Sequence, residues 1–450
     1  MFPNPQSALP LPPRPSLERY RKIAKDLVKA CKAAGESRLE SDDADAFYAW
    51  AEGWIDALVR LSGIVLEPQL PVHVTQWIDE VAGFARLQLA SDAAGGRRCA
   101  LADAQFVIAR SHGFESWPKF VHGLEALAHG GASDESRFEV AADAIVAGDI
   151  STLRRLLDEE PGLIRMRSMR EHGATLLHYV SANGVEDYRQ RTPQNVAEIA
   201  ELLLRAGAEV NATANVYGGG ATTLGLTATS GHPEDTGVQE ELMRLLLEHG
   251  ARIDDGLVRA CLANGRGRAA EFIAGRAAHL DLAEAAGVGR IDLLNKCVAE
   301  DGTLADGPPK QLSDGLLYAC QFGRNAVVEF LIQLGVDLAV HDGRGQTGMH
   351  HAVIGGHLET VKLLLKHEPP LEATNFYGGT VLGQALWSGA HGGDAEVTLA
   401  ILEALKEAGA KLPERHVPVN DRVDAWLEER GSHAEPGWYW YGERPRSGKR

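Results

Sequence analysis

TGMHHAVIGG, residues 347–356, is one copy of a pattern that recurs along the chain and decides its fold. The related stretches are TLLHYVSANG (175–184), TTLGLTATSG (222–231), DGLVRACLANG (255–265), DGLLYACQFG (314–323) and TVLGQALWSG (380–389). The starts at 222 and 255 are 33 residues apart, as are those at 314, 347 and 380. A fixed period of about 20–50 residues is typical of proteins built from stacked repeats.

Each copy predicts a short first helix followed by a longer, leucine-rich second helix. A Thr or Asp at the start can accept a hydrogen bond from an unpaired amide of the first helical turn, so these residues are assigned a capping role. They are Thr175, Thr222, Asp255, Asp314, Thr347 and Thr380. The second helices include MRLLLEHG (243–250) and VKLLLKHE (361–368). A single helix pair cannot bury both of its helices, so neighbouring pairs must stack.

The repeats resemble the ankyrin repeat family, whose T-P-L-H-x-A signature is nearly spelled out by Thr347–Ala352 and partly by Thr175–His178. The resemblance implies an all-α fold: an ankyrin-type helical repeat solenoid preceded by a small helical domain. It covers residues 138–412 as about eight units, two of them truncated and two with inserts. It also implies that His178 and His350 bond neighbouring backbone and join units.

The chain departs from the family in lacking its proline, which Leu176 and Gly348 replace. The N-terminal helices also look like the leader of a set of bacterial ankyrin-repeat proteins. The predicted domains are a proline-rich extended lead-in (1–15), an N-terminal helical domain (16–128), a linker (129–137), the repeats (138–412), a C-terminal capping half-unit (413–431) and an aromatic, basic tail (432–450).

Composition limits the function classes. The net charge of −17 predicts a surface that repels nucleic acid and anionic lipid. No apolar stretch of membrane-spanning length and no signal peptide is present, so we expect a cytoplasmic protein without membrane insertion. The five cysteines show no metal-ligand spacing and fit a reducing compartment; they are Cys31, Cys99, Cys261, Cys297 and Cys320.

The sequence contains no recognisable catalytic, metal-binding or cofactor-binding motif, so we expect a binding protein that uses no cofactor and catalyses no reaction. In the resembled family, partner proteins contact loop tips and the variable positions after the small residue of each first helix. The corresponding candidates are Tyr217, Phe322, Arg344, Ile354, Phe376, Tyr377 and Trp387. Two alternatives stay open: an enzyme or toxin-like activity in the N-terminal helical domain, and nucleic-acid binding through the basic helix 16–35.

A glycine-rich loop occurs twice, as NVYGGGATT from residue 215 and as NFYGGT from residue 375. Both copies precede a Thr-capped helix and neither carries the lysine of a phosphate-binding loop, so both are interpreted as turns at repeat junctions. In these two units glycine replaces the signature histidine. We expect Tyr217 and Tyr377 to fold back into the space that the histidine would fill.

Overall fold

The computed structural model describes residues 4, 6–12, 14–36, 40–62, 70–89, 99–128, 133–296 and 309–435. It forms two compact units, Met1–Asp254 (unit 1) and Asp255–Arg450 (unit 2). The all-α fold class is confirmed, because the regular elements within these ranges are helices, apart from strands of two residues each. In the described part of the chain, no helix combines the length and the apolar character needed to cross a membrane.

Unit 1 begins with five helices around one apolar core. They are α1 (Leu17–Glu36), α2 (Glu40–Ser62), α3 (Leu70–Gln88), α4 (Leu101–Ser111) and α5 (Trp117–Ala128). In α1 the buried residues Tyr20, Leu27 and Cys31 recur at helical spacing, so one face of the helix packs on the core. The lysines of α1 lie on the opposite, exposed face.

A disulfide joins Cys31 in α1 to Cys99 just before α4, with the two Cα atoms 5.7 Å apart. The cysteine spacing in the sequence did not indicate this bond, because the two residues are 68 positions apart and only the fold brings them together. Disulfides persist in oxidising environments, so this bond removes the support that the cysteines lent to a reducing compartment. Cys261 and Cys320 are buried free thiols, and Cys297 lies outside the described residues.

The proline-rich lead-in packs against the rest of unit 1, and its residues 7–10 are buried. The Leu9 amide donates to the carbonyl of Ser111 (2.7 Å), and the Asp187 amide donates to the carbonyl of Gln6 (2.9 Å). An extended segment has no hydrogen bonds of its own, so its backbone groups must find such partners when they are buried. The lead-in is therefore an integral layer of unit 1.

A buried ionic cluster, made of Glu139, Arg170, Glu186 and Arg189, lies beside the lead-in. Glu186 is fully buried, with Oε1 2.5 Å from Arg170 Nε and 3.3 Å from Arg189 Nη1. Burial alone would raise the pKa of Glu186, but the Arg189 and Arg170 guanidiniums outweigh it and hold that pKa well below its usual value.

The two arginines of the ionic cluster tie separate parts of unit 1 together. Arg170 Nη1 donates to the carbonyls of His112 (2.6 Å) and Leu9 (3.4 Å), on the helical domain and the lead-in. Arg189 Nη1 donates to Glu139 on the first repeat at 2.7 Å. Glu186 and Arg189 belong to residues 185–195, an insert between the two helices of the second repeat. This insert thus connects the lead-in, the N-terminal helices and the repeats.

The remainder of unit 1 contains three helix pairs of the repeat region. Their α-helices are α6 (Asp134–Ala147), α7 (Ile150–Glu159), α8 (Val196–Arg205), α9 (Thr223–Thr229), α10 (His232–Asp235) and α11 (Gln239–Glu248). Three short 3-10 helices span Pro161–Arg165, Leu176–Ser181 and Asp187–Arg189. Strands β1 (Thr213–Ala214) and β2 (Ala221–Thr222) pair antiparallel around the first glycine-rich loop, with Thr213 opposite Thr222.

Unit 2 continues with five helix pairs and one further helix. They are α12 (Leu257–Ala263), α13 (Gly267–Ala274), α14 (Leu282–Gly287), α15 (Ile291–Asn295), α16 (Pro309–Gln321), α17 (Asn325–Gln333), α18 (Gly348–Ile354), α19 (Leu358–Leu365), α20 (Val381–Ala390), α21 (Ala395–Glu407) and α22 (Asp421–Glu428). The first helices α14, α16, α18 and α20 stack side by side. Helix α22 covers the end of α21 with buried Val423, Trp426 and Leu427. Strands β3 (Arg415–His416) and β4 (His433–Ala434) pair in parallel.

Two repeats begin with a Thr and a His that bond reciprocally. His178 Nδ1 accepts from the Thr175 amide (3.1 Å), and His350 Nδ1 accepts from the Thr347 amide (3.2 Å). On its other side, His350 Nε2 lies 3.3 Å from the carbonyl oxygen of Gly379 in the next repeat. The ring therefore satisfies backbone groups of two successive units.

Thr222 and Thr380 cap the helices of the two units that lack the histidine. Their hydroxyls accept from the amides of Gly225 and Gly383, each at 3.2 Å. Because a threonine side chain caps alone, glycine in place of histidine does not prevent the helix from starting.

The capping role predicted for Asp255 and Asp314 is wrong. Helix α12 begins after Gly256, which has a φ of +79° and no side-chain cap. Asp314 lies inside α16, which begins five residues earlier at Pro309, a residue favoured in a first helical turn. The Asp314 carboxylate instead pairs with Arg259 (3.2 Å) and Lys310 (3.0 Å).

Candidate functional site

A groove of about 800 Å³ runs along the first helices of unit 2. We call it the aromatic groove and define it by six of its lining residues: Tyr318, Arg344, His351, Ile354, Tyr377 and Trp387. Four of them, Arg344, Ile354, Tyr377 and Trp387, were candidates from the sequence. The structure therefore brings the candidates of three successive repeats to one surface.

Two equivalent positions of each repeat line the aromatic groove. Counting from the Thr or Asp that starts each stretch, the fifth position supplies Tyr318, His351 and Gln384, and the eighth supplies Gln321, Ile354 and Trp387. Residues three apart share one face of a helix. The fifth position was missed from the sequence, although this three-residue spacing from the candidates Ile354 and Trp387 would have indicated it.

Phe322 does not line the aromatic groove, so the structure does not place it with the other candidates of unit 2. Its ring is half-buried against Gly267, where an added Cβ would come within 2.7 Å of the ring. Phe322 occupies the ninth position of its repeat, where the next repeats have Gly355 and Ser388. Phe322 thus packs against the start of α13, and Gln321 occupies the groove position instead.

Phe376 and Tyr377 are presented by a turn that Asn375 organises. The Asn375 side chain is buried, and its Oδ1 accepts from the amides of Tyr377 (3.0 Å) and Gly379 (2.9 Å). The Phe376 amide donates to the carbonyl of Arg344 at 2.6 Å, which joins this turn to the loop of the preceding repeat. Phe376 is 81% exposed, and its ring packs edge-on against that of Tyr377 at 5.8 Å.

The expectation that tyrosine fills the space of the missing histidine is wrong. At Gly383 the nearest atom to an added Cβ is the hydroxyl of Thr380 (3.5 Å), and no atom of Tyr377 lies within 4 Å. Tyr217, which belongs to unit 1, is 68% exposed and donates its hydroxyl to Asn183 Oδ1 at 2.6 Å. The buried Asn375 bonds Gln384 instead (3.2 Å), so an amide pair supports the turn beside Gly383.

Both carboxylates that line the aromatic groove are already engaged. Burial alone would raise the pKa of Asp342, but His351, 3.3 Å away, and the amides of Gln346 and Arg344 outweigh it and lower that pKa to about 2. The Asp314 carboxylate pairs with Arg259 and Lys310. The Arg344 guanidinium is exposed, and no carboxylate of the described residues pairs with it.

Trp387 forms the far wall of the aromatic groove. Its ring stacks on that of His391 with centroids 4.2 Å apart and planes at 19°. Trp387 remains 36% exposed and Ile354 39% exposed, so both offer apolar surface to solvent. From residue 436 on, the aromatic, basic tail expected from the sequence lies outside the described residues.

The N-terminal helical domain has a smaller hollow of about 280 Å³. Its walls are largely apolar, with Ile23, Trp54 and Leu58, and its charged lining residues are Arg14 and Arg19. Across the described ranges, no three His, Cys, Asp or Glu side chains are grouped so that they could hold a metal ion. The histidines at 350, 351 and 357 bond backbone or Asp342 rather than converging.

Comparison with known proteins identifies the repeats. Residues 316–412 match the family of ankyrin repeats in three copies. The ankyrin repeat and KH domain-containing protein mask-1 of Caenorhabditis elegans is 30% identical over 183 residues, 37% of this chain and 6% of that protein. The ADP-ribosylation factor GTPase-activating protein AGD4 of Arabidopsis thaliana is 33% identical over 72 residues, 16% of this chain and 9% of that protein. The chain thus matches less than a tenth of the length of either relative.

Proposed function

Because residues 316–412 of this chain are ankyrin repeats, we propose that it is a protein-interaction module that holds a partner protein in the aromatic groove. The observation that carries the proposal is the convergence of Ile354, Tyr377 and Trp387, from consecutive repeats, on one open surface. Tyrosine, tryptophan and arginine dominate the binding energy of protein interfaces. A contiguous exposed apolar surface of this kind is typical of an interaction site.

The construction of the groove supports binding rather than catalysis. Its lining includes the His351–Asp342 pair but, among the described residues, no Ser, Thr or Cys that such a pair could activate as a nucleophile. A rival enzyme in the N-terminal helical domain would need a pocket with several convergent polar groups. The hollow observed there combines apolar walls with the polar groups of Arg14, Ser16, Arg19 and Tyr20, but no carboxylate, histidine or cysteine of the described residues lines it. We propose a binding role without a reaction or a cofactor.

Nucleic-acid binding through α1 is the weaker alternative. Its exposed lysines include Lys22, Lys25 and Lys29, but Lys29 is paired with Asp26 at 2.8 Å. The net charge of −17 opposes the approach of another polyanion. The same lysines on a solvated helix face need no ligand to account for them.

The proposed function is tested by removing the groove aromatics. We expect Tyr377→Ala and Trp387→Ala each to weaken capture of partner proteins from a lysate of the native host at least about tenfold, as interface hot spots do. Quantitative mass spectrometry of proteins recovered on the immobilised full chain measures the change. Both side chains are partly exposed, so folding should be unaffected, and circular dichroism checks this.

Phe106→Ala is the matched control, because Phe106 is 37% exposed, close to the 36% of Trp387, and lies on α4 in unit 1. It should leave the recovered proteins unchanged. If the two groove variants recover the same proteins in the same amounts as the unmodified chain, the aromatic groove is not the partner site.

A further inference from the structure

We infer that the occupant of the aromatic groove is an extended peptide segment in which one acidic side chain is flanked on both sides by apolar ones. This inference rests on the proposed function and specifies the chemistry of the partner. It follows from two adjoining hollows that share Arg344 and from the charges around them.

The second hollow, of about 380 Å³, lies next to the aromatic groove at the loop tips of the same repeats. We call it the loop-tip hollow; its lining includes Arg344, Pro370 and Phe376. Arg344 lines both spaces, so its side chain stands between them. Tyr377 and Phe376, adjacent on one turn, likewise face one space each.

The backbone on both sides of Arg344 is fixed. Its amide donates to Asp342 Oδ1 (2.8 Å), and its carbonyl accepts from the Phe376 amide (2.6 Å). The guanidinium therefore projects from an anchored loop, so a ligand need not order that backbone on binding. An arginine at a defined position can hold a carboxylate through two parallel hydrogen bonds.

Arg344 is exposed, and no carboxylate of the described residues pairs with its guanidinium. Asp342 accepts hydrogen bonds from backbone amides and lies 3.3 Å from His351, and Asp314 pairs with Arg259 and Lys310, so neither carboxylate pairs with Arg344. Within the described residues, no carboxylate lines the loop-tip hollow. A basic ligand would thus meet an uncompensated arginine, whereas an acidic one would pair with it.

The apolar walls specify what flanks the acidic side chain. On one side of Arg344 stand Ile354, Tyr377 and Trp387, and on the other stands Phe376, which is 81% exposed. Side chains two positions apart in an extended peptide point to the same face, so apolar residues two positions before and two positions after the acidic one can enter the two hollows. A peptide laid across Arg344 therefore places its carboxylate between two apolar contacts.

Peptide selection tests this inference directly. A phage-displayed library of random peptides is selected on the full chain and counter-selected on the Arg344→Glu variant. We expect the enriched peptides to share an aspartate or glutamate with an apolar residue within two positions on each side. One enriched peptide is then synthesised with glutamate, glutamine or lysine at the acidic position, and its binding is measured by fluorescence anisotropy.

The glutamate peptide should bind at least about tenfold more tightly than the glutamine and lysine versions, the usual effect of a charge-assisted hydrogen bond. This preference should shrink as salt is added. With Arg344→Glu the order should reverse in favour of the lysine peptide. Arg154→Glu, a reversal at an exposed arginine of unit 1, should leave the order unchanged.

Three results would overturn the inference: no enriched motif, a motif without an acidic residue, or equal affinities of the three peptides for the full chain. The Tyr377→Ala and Trp387→Ala variants separate such a failure from that of the proposed function. If they lose the selected peptides whatever the charge of those peptides, the groove is still the binding site and only the acidic occupant is refuted. If they retain them, both proposals fail.

Discussion

A histidine buried as a neutral ring stands at the start of two repeats. Burial lowers the pKa of His178 to about 4 and also lowers the pKa of His350. The free ring has a pKa of about 6.5, so between pH 6.5 and 4 the unfolded chain binds a proton that the folded chain does not. The stabilisation from the neutral ring is complete above pH 6.5 and is lost as the pH falls through this window.

His178→Gln should therefore flatten the acid side of the stability curve of unit 1. Glutamine can still accept the Thr175 amide in a capping box but does not titrate. We expect the unmodified chain to lose roughly 3 kcal/mol more than the variant between pH 7 and pH 4. Urea unfolding followed by circular dichroism measures this. If the free energy of unfolding falls equally for the two proteins over this pH range, His178 does not take up a proton on unfolding.

Sequence reasoning at the scale of single residues succeeded where the local pattern decides the geometry. Thr175 and Thr347 stand at the N-caps of their helices, the position expected from a side-chain oxygen that can accept from a first-turn amide. It failed for Asp314, because α16 begins at Pro309 and already contains that residue. It failed for Phe322, because Gly267 has no side chain and leaves room for the Phe322 ring. Neither feature is encoded within the repeat stretch itself.

The insert between the two helices of the second repeat, residues 185–195, carries half of the buried ionic cluster of unit 1. It carries Glu186 and Arg189, and the buried ionic cluster connects it to Arg170 and Glu139. From the sequence it was interpreted as an interruption of the repeat. The charged residues of the insert do not indicate burial in the sequence, because charged residues are normally exposed. Burying them requires oppositely charged partners, which the fold brings from distant positions in the chain.

Glu186→Ala should destabilise unit 1 by about 3–5 kcal/mol, because it leaves two buried guanidiniums without their shared carboxylate. Glu240→Ala is the control: it also removes a carboxylate that pairs with an arginine, Arg244, but that pair is exposed. The control should change stability by less than about 1 kcal/mol. Chemical denaturation compares the two variants, and equal effects would contradict a structural role for the cluster.

At the scale of the whole molecule, each unit has its own apolar core, and only unit 1 has a disulfide among the described residues. The helix pairs were accessible from the sequence because a repeat shows its periodicity many times. The lead-in, the disulfide and the ionic cluster occur once each and depend on contacts between distant residues. These features could be found only in the folded structure.

Reduction should therefore destabilise the N-terminal helices selectively. The Cys31–Cys99 bond closes a loop of 68 residues, for which chain entropy gives a stabilisation of about 4 kcal/mol. Hydrogen exchange followed by mass spectrometry should show that the amides of α1–α5 exchange faster after a thiol-free reductant is added. The same loss of protection should appear in the Cys99→Ser variant without a reductant. Helices α18–α21 are the internal control and should keep theirs. Alkylation of both cysteines in the folded, unreduced protein would contradict the bond.

The buried lead-in also has a consequence for synthesis on the ribosome. Leu9 is held by Arg170, 161 residues later in the chain. At about 5–20 residues per second, roughly 10–30 s of translation separate the two. During that interval the segment around Leu9 can already contact Ser111 and His112, but it lacks the bonds to Arg170 and Asp187. The layer formed by the lead-in is thus completed only when residues 170–189 have emerged, and a ribosome that stalls before them leaves the lead-in without its last hydrogen bonds.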